Sequence, residues 1–450
     1  MRTPPWTTMP AARLPAPLAA LARREHGTTA IAFGVMATAL VGFAGLATEG
    51  GAWYVIRREA QTAADTAAQA GAIAAAFNRD AVAAARETSA RNRFAHSAGG
   101  TTVTVSRPPV SGPNAGNARA VEVVVQRQVP LQLAALFLGD AATVRTRAVA
   151  MALPISGGAA CVLALGSAGG ALTQENDLEA GGNATVNAPN CSLASNTSIR
   201  QFGSAAVNAF TMSAVGTVSI SSPQNVTLQR PAASFQPPIA DPFAPDVPGT
   251  GIPLPAQSGT CTHTNYGVNS NQSATMSAGR YCGSVSLKGT VTMTPGVYVI
   301  QNGSLDVTAQ ASISCPSCSP GNGVTFVFTG NPGTVGGPKI NGGATIDLIG
   351  GSGAYRGILM YQDPRAAAGN DVTLNGGAGI TTQGLFYFPS ADLKINGNFG
   401  GVNSTCKAFI GESISLVGTT TQTINVAGCA ALGLDPGSDL PQIRIVRLVE

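Results

Sequence analysis

From Gly27 to Thr48 the chain runs through GTTAIAFGVMATALVGFAGLAT without one charged side chain. No other stretch restricts the fold as tightly. At about 1.5 Å of rise per helical residue the run reaches roughly 33 Å, enough for a hydrocarbon core of about 30 Å. A cleaved secretory signal has an apolar stretch of only about 7–15 residues, close to the start of the chain. Here the run is longer and follows MRTPPWTTMPAARLPAPLAALARREH, whose prolines disfavour a long helix before Leu18. A buried helix in a soluble core is the third reading, and it rarely runs this far without a charge. The reading adopted is a permanent transmembrane helix over residues 27–48, which makes the lipid bilayer the first partner. Arg2, Arg13, Arg23 and Arg24 stand before it against Glu25, while Arg57 and Arg58 stand after it against Glu49 and Glu59. The positive-inside rule puts the leader, residues 1–26, in the cytoplasm and the bulk of the chain outside.

A chain of 450 residues has room for two or three domains. Net charge is only +4 and the basic residues form no dense patch, so no nucleic-acid partner is expected. Charged residues make up 11%, aromatic residues 5%, and there are 55 glycines. A sparsely charged chain rich in Gly, Asn, Ser and Thr reads as exported, repetitive β structure. All eight cysteines follow the apolar run, in agreement with an oxidising compartment. Neighbours in sequence suggest Cys161–Cys191, Cys261–Cys282, Cys315–Cys318 and Cys406–Cys429, among 105 possible pairings. The rival is zinc at Cys315-Pro-Ser-Cys318, but no second CxxC or paired His follows at ligand spacing. No metal and no cofactor is expected.

Residues 52–95 are dense in alanine, free of proline, and read as one helix that continues from the apolar run. Alternating β-branched residues mark strands at 101–107 and 120–129. Residues 131–152 read as a short apolar helix and another strand, completing an α+β module over 52–152. After Pro154 the texture changes to short β-like runs between Gly and Asn turns. A phrase recurs in SAVGTVSISS (213–222), SLKGTVTMTPG (286–296), KINGGATIDLIG (339–350), TLNGGAGITTQG (373–384) and SLVGTTTQTINVAG (415–428), and its last centres, Gly376, Gly397 and Gly418, are 21 residues apart. Such repeats predict a solenoid, here a right-handed parallel β-helix, with a β-sandwich as the alternative. Residues 230–260 are too rich in proline for central strands. They read as a linker or a surface excursion between a first β region (155–229) and a second (260–440).

The basic pair, Gly27, the apolar run, Glu49 at its outer end, Arg57 and the phrase EAQTAADTAAQAGA together resemble the TadG-like (TadE/G) proteins of tight-adherence, or Flp, pilus loci. Glu49 stands where that family usually has Asp, and Ala60 where it has Leu; Gln61, Ala64, Asp65 and Ala68 follow in pattern. The likeness covers about residues 22–77 and extends more faintly to about 152. It implies an inner-membrane or envelope protein associated with Flp pilus assembly, with other pilus-assembly or envelope proteins as partners. Related prepilins are cleaved after a Gly that has a Glu five residues beyond it. Here Gly27 is followed by Thr28-Thr29-Ala30-Ile31-Ala32, so the expectation is an uncleaved anchor.

No catalytic residue is assigned. Glycan-cleaving β-helices need paired carboxylates or an acidic cluster with a nearby Arg or Lys. The β region offers Asp306, Asp347, Asp363, Asp371, Asp392, Arg356, Arg365, Lys339 and Lys394, densest at Asp363-Pro364-Arg365 with Asp371. A solvated turn accounts for that group. The expected function is therefore non-enzymatic, with a membrane-tethered polysaccharide-cleaving enzyme or an adhesin-like surface module as alternatives.

Overall fold

The computed structural model describes residues 25–132, 135, 141–166, 177–351, 353–368, 370–377, 379–397 and 404–450. Nearly all of the expected leader and most of the short helix expected after Leu131 lie outside these residues. The chain forms two compact units: residues 1–151 with 448–450, and residues 152–447.

In the first unit, one unbroken helix, α1 (Glu25–Ala76), carries both the apolar run and the alanine-rich run. Its apolar part is long enough to cross a membrane, and its large apolar side chains are exposed. Phe33 and Phe43 are 71% and 72% exposed, which excludes a core helix in this fold. The later half differs. Ala60, Ala63, Ala64, Ala67 and Ala68 are fully buried, because methyl side chains let the helix approach its neighbours closely. A Cβ on Gly71 would lie 3.0 Å from Val121 Cγ1 and 3.3 Å from the Ala81 carbonyl oxygen.

The single helix expected over 52–95 is broken. It stops at Ala76 and restarts as α2 (Ala81–Arg91). Asn78 takes a left-handed conformation, φ +53°. Asp80 then caps the new helix by accepting from the Val82 and Ala83 amides at 2.9 and 3.0 Å. Asn and Asp offer the backbone local partners that compete with helix continuation. The break folds α2 back along α1, where Asn92 Nδ2 donates to Thr66 Oγ1 (3.1 Å). Three antiparallel strands complete this unit: β1 (Thr101–Ser106), β2 (Ala120–Pro130) and the first half of β3 (Ala141–Ala164), with Thr101 opposite Arg127 and Ala120 opposite Met151.

The second unit is a stack of parallel rungs. Along one ladder His263–Thr264 pairs with Gly279–Cys282, then Gly296–Gln301, Val324–Thr329 and Ile358–Gln362. A middle ladder runs through Val285–Leu287, Leu305–Val307, Pro338–Ile340 and Asn370–Gly376. A third runs through Ser273–Met276, Thr290–Met293, Ser312–Ser314 and Thr345–Ile349. Inward positions carry aliphatic and aromatic side chains, and Tyr281, Tyr298 and Phe326 follow one another ring to ring at 5.6–6.2 Å. Gly376 lies in register with Gly397, so the 21-residue spacing is the length of one rung. Gly397, Gly418, Gly182 and Gly203 all turn the same kind of corner at positive φ. A Cβ on Gly397 would meet the Gly376 carbonyl oxygen at 2.4 Å.

The stack does not follow the order of the sequence. Strand Lys407–Leu416 pairs with Val162–Ala164 of β3 and with Leu178–Ala180, and Thr421–Thr423 pairs with Thr185–Asn187. Residues 160–188 therefore seat on the rung formed by 407–423, followed by rungs at 192–209 and 212–228. The strands before and after residues 230–260 form one stack, and the proline-rich segment is a strap along it. Ile239 exchanges two hydrogen bonds with Asn196. Tyr387 Oη donates to Asp241 (2.6 Å), beside the buried Phe243. Further on, Arg356 donates to the Gly249 carbonyl, Arg365 to Pro255 and Arg280 to Ala256. Proline suits such a strap because its carbonyls are used and a ladder N–H is not required. Disulfides join Cys161–Cys191, Cys261–Cys282, Cys315–Cys318 and Cys406–Cys429, the neighbours favoured by sequence.

Gly397→Ala tests the corner: positive φ and the close Gly376 carbonyl predict a loss of about 1–3 kcal/mol, read as a lower denaturant midpoint than in an exposed control, Gly333→Ala. An unchanged midpoint would remove the proposed reason for the glycine spacing.

Candidate functional site

Gly27, Glu49, Arg57, Gln61, Ala64, Asp65 and Ala68 all lie on α1, and Gln61 bonds to the sheet. Where the apolar run ends, Glu49 Oε1 accepts from the Gln132 amide at 2.6 Å. Gly45, Thr48, Ala52, Trp53, Val129 and Pro130 surround that contact in a hollow of about 190 Å³. Three turns further along, Gln61 Nε2 donates to Asp65 Oδ1 (2.7 Å) and to the Arg147 carbonyl on β3 (3.1 Å). Thr146 Oγ1 donates to the Ala60 carbonyl (3.0 Å). Asp65 is half-buried and orients the Gln61 amide, rather than standing free in solvent. Ala64 and Ala68 supply the small face against which this contact closes. Gly27 lies in the first turn of α1, and Arg57 is exposed.

These contacts fit a family pattern in which an acid, a Gln and an Asp follow an apolar span. Residues 27–76 match the family model described as "Putative Flp pilus-assembly TadE/G-like". No curated protein and no solved structure matches the chain. The TadE/G-like segment thus covers the apolar run and the part of α1 that packs on the sheet. It ends at the last residue of that helix.

Sequence reading missed the polar network on the same sheet. Arg147 bridges Glu122 and Glu450, and its Nη2 also donates to the Ser111 carbonyl (2.6 Å). Glu122 additionally accepts from the Val110 amide (2.7 Å) and Ser111 Oγ (3.0 Å). Asn114 donates to Glu450 through its amide and its side chain. Burial pushes the Glu122 carboxyl up. The Val110 amide, the Arg147 guanidinium and the Ser111 hydroxyl outweigh it and hold the carboxyl below its ordinary value of 4.5. The partners are 25 and 303 residues from Arg147, and no local pattern announces them.

The carboxylates of the β region do not assemble as the densest sequence cluster implied. Asp363 is fully buried, not a solvated turn. It binds Arg365 Nη2 (2.7 Å), the Arg365 amide (3.0 Å) and Thr329 Oγ1 (2.7 Å). Burial raises its pKa, and these donors reverse the shift and hold it low. Arg365 also grips the strap at Pro255, so the pair clamps the strap to the stack. Asp371 instead pairs with Lys394 (2.9 Å) on the exposed middle ladder. Asp392 accepts from Ser413 Oγ (2.6 Å), and Asp347 is exposed on the third ladder. Cys315 and Cys318 are bonded to each other, and among the described residues no three His, Cys, Asp or Glu gather to hold a metal.

Arg365→Ala leaves the Asp363 carboxylate buried without its cation, and a loss of about 3 kcal/mol is expected in denaturant unfolding. A loss under about 0.5 kcal/mol would make the clamp ornamental. The depressed Glu122 pKa fixes a sign for acid. The unfolded chain takes up a proton near pH 4.5 and the folded chain only below it, so this contribution is present above pH 4.5 and lost as pH falls through the folded value. Melts from pH 6 to 3 should show a shallower loss in Glu122→Gln than in the parent; parallel curves would contradict the assignment.

Proposed function

We propose that this chain is a membrane-anchored, non-enzymatic envelope protein that serves the assembly of tight-adherence (Flp-type) pili. The observation that carries the reading is the continuity of α1: an apolar stretch whose large side chains are exposed passes without a break into the packed half of the same helix, and the TadE/G-like match covers both. In this reading residues 27–48 cross the cytoplasmic membrane once and remain uncleaved. Residues 1–26 lie in the cytoplasm, and the bulk is periplasmic or extracellular. Residues 52–152 dock on other pilus-assembly or envelope proteins. The β-rich region, 155–229 and 260–440 joined by the 230–260 strap, is a parallel β-helix; the parallel ladders favour this over a sandwich, and parallel crossovers favour a right hand. It makes further envelope contacts. Four disulfides suit an oxidising compartment. A non-enzymatic role is supported by the saturation of Asp363 with structural partners.

Alkaline carbonate should leave the full chain in the membrane pellet, and removal of residues 27–48 should release it. A thiol reagent that does not cross membranes should label a cysteine introduced at Gly333 and spare one introduced at Ala11. Release of the intact chain by carbonate, or the reverse labelling, would overturn the anchor. Deleting the gene should abolish Flp-type pili, with rescue by the full chain but not by Gln61→Leu/Asp65→Leu. Normal piliation without the protein would overturn the assembly role.

A further inference from the structure

Over three successive rungs of the middle ladder lies an open groove of about 490 Å³. Asp306 and Thr308 line it from the first rung, Lys339 and Asn341 from the second, and Asp371 and Asn375 from the third. Register places Asp306 beside Lys339 and Lys339 beside Thr373, so polar heads recur at the strand spacing of about 4.8 Å. Residues between them turn inward: Val307, Ile340, Val372 and Leu374 are buried. One rung further, Lys394 holds Asp371 through Oδ2. The groove opens where rungs lengthen. Leu305 to Pro338 is 33 residues and Lys339 to Thr373 is 34, against 21 from Asn375 to Asn396.

The chemistry of the lining narrows the ligand. Each strand is already paired on both sides, so a peptide cannot join as an added strand. No aromatic ring lines the groove, and its exposed side chains end in polar groups, which disfavours an apolar guest. Asp306 and Asp371 balance Lys339 and Lys394, so a polyanion has no net attraction. What remains is a guest whose many groups both donate and accept hydrogen bonds: carboxylates and amide oxygens take its protons, while ammonium and amide N–H groups serve its oxygens. We propose that this groove binds a neutral polysaccharide laid across the rungs. The inference rests on the groove alone and stands or falls separately from the pilus reading.

The test uses the full chain in detergent micelles, immobilised and exposed to three neutral probes, dextran, laminarin and chitotetraose, with dextran sulfate as the anionic comparator. Retention of at least one neutral probe is expected, largely unaffected by 0.5 M salt. Lys339→Ala and Asn375→Ala should each weaken it about tenfold, while Asp435→Ala, on an exposed turn elsewhere, leaves it unchanged. Melting curves check that each variant is folded; Lys339→Gln and Asn375→Ser replace any that is not. Three results would overturn the proposal: no retention of any neutral probe, retention of dextran sulfate alone with loss in salt, or neutral binding that the groove variants leave intact.

Discussion

Phe409, Ile410 and Gly411 lie in register with Val162, Leu163 and Ala164, and Ile414 to Leu416 with Leu178 to Ala180. At this seam a late rung receives the earliest ones, and the rest of the β-rich unit is arranged around it. Backbone groups at a rung edge need partners, and an unpaired edge invites association with other chains. Because the early rungs occupy one side of residues 407–423, the later rungs must start at the far end of the stack and build back. The strap exists to carry the chain there. Its prolines, and its arginine-held carbonyls at Gly249, Pro255 and Ala256, follow from that duty. Two disulfides, Cys161–Cys191 and Cys406–Cys429, fasten the rungs on either side of the seam.

The first unit solves a different problem with one helix in two surroundings. Large apolar side chains stand exposed before Glu49; alanines pack against the sheet after Ala60. Glu49, Gln61 and Thr146 fix where the change occurs by hydrogen bonds between helix and sheet. Small side chains bury little apolar area each, so the packing relies on close approach and on these few polar contacts. The Arg147 network stiffens the opposite side of the same sheet, at a place where Glu122 has almost no access to water.

Local chemistry explains what could be read in the residues. An apolar span, alanine density, alternating β-branched residues and a repeated corner glycine each act within one element or one rung, and each had left a mark in the sequence. The break at Asn78–Asp80 is also local, but it uses Asn and Asp rather than the Gly or Pro that usually flags a stop, and it was passed over. Long-range features left no such mark. The seam joins residues 247 positions apart, from Val162 to Phe409, and nothing near either strand names its partner. Asp363 looked like a turn residue because Thr329, which binds it, lies on another rung, and Arg147 drew no attention because its acids arrive from other elements. The family pattern located Gln61 and Asp65 without saying that Gln61 bonds to β3 and that Asp65 holds its amide.

The seam also dictates a timetable. A chain made from its first residue onward delivers 160–228 long before 407–423, so the early rungs emerge with one side vacant and wait while residues 229–406 follow. During that interval they are vulnerable to pairing with the wrong neighbour, another nascent copy included. A helper that shields exposed strands, or rapid delivery of the remaining chain, becomes as much a requirement of this fold as any side chain in it.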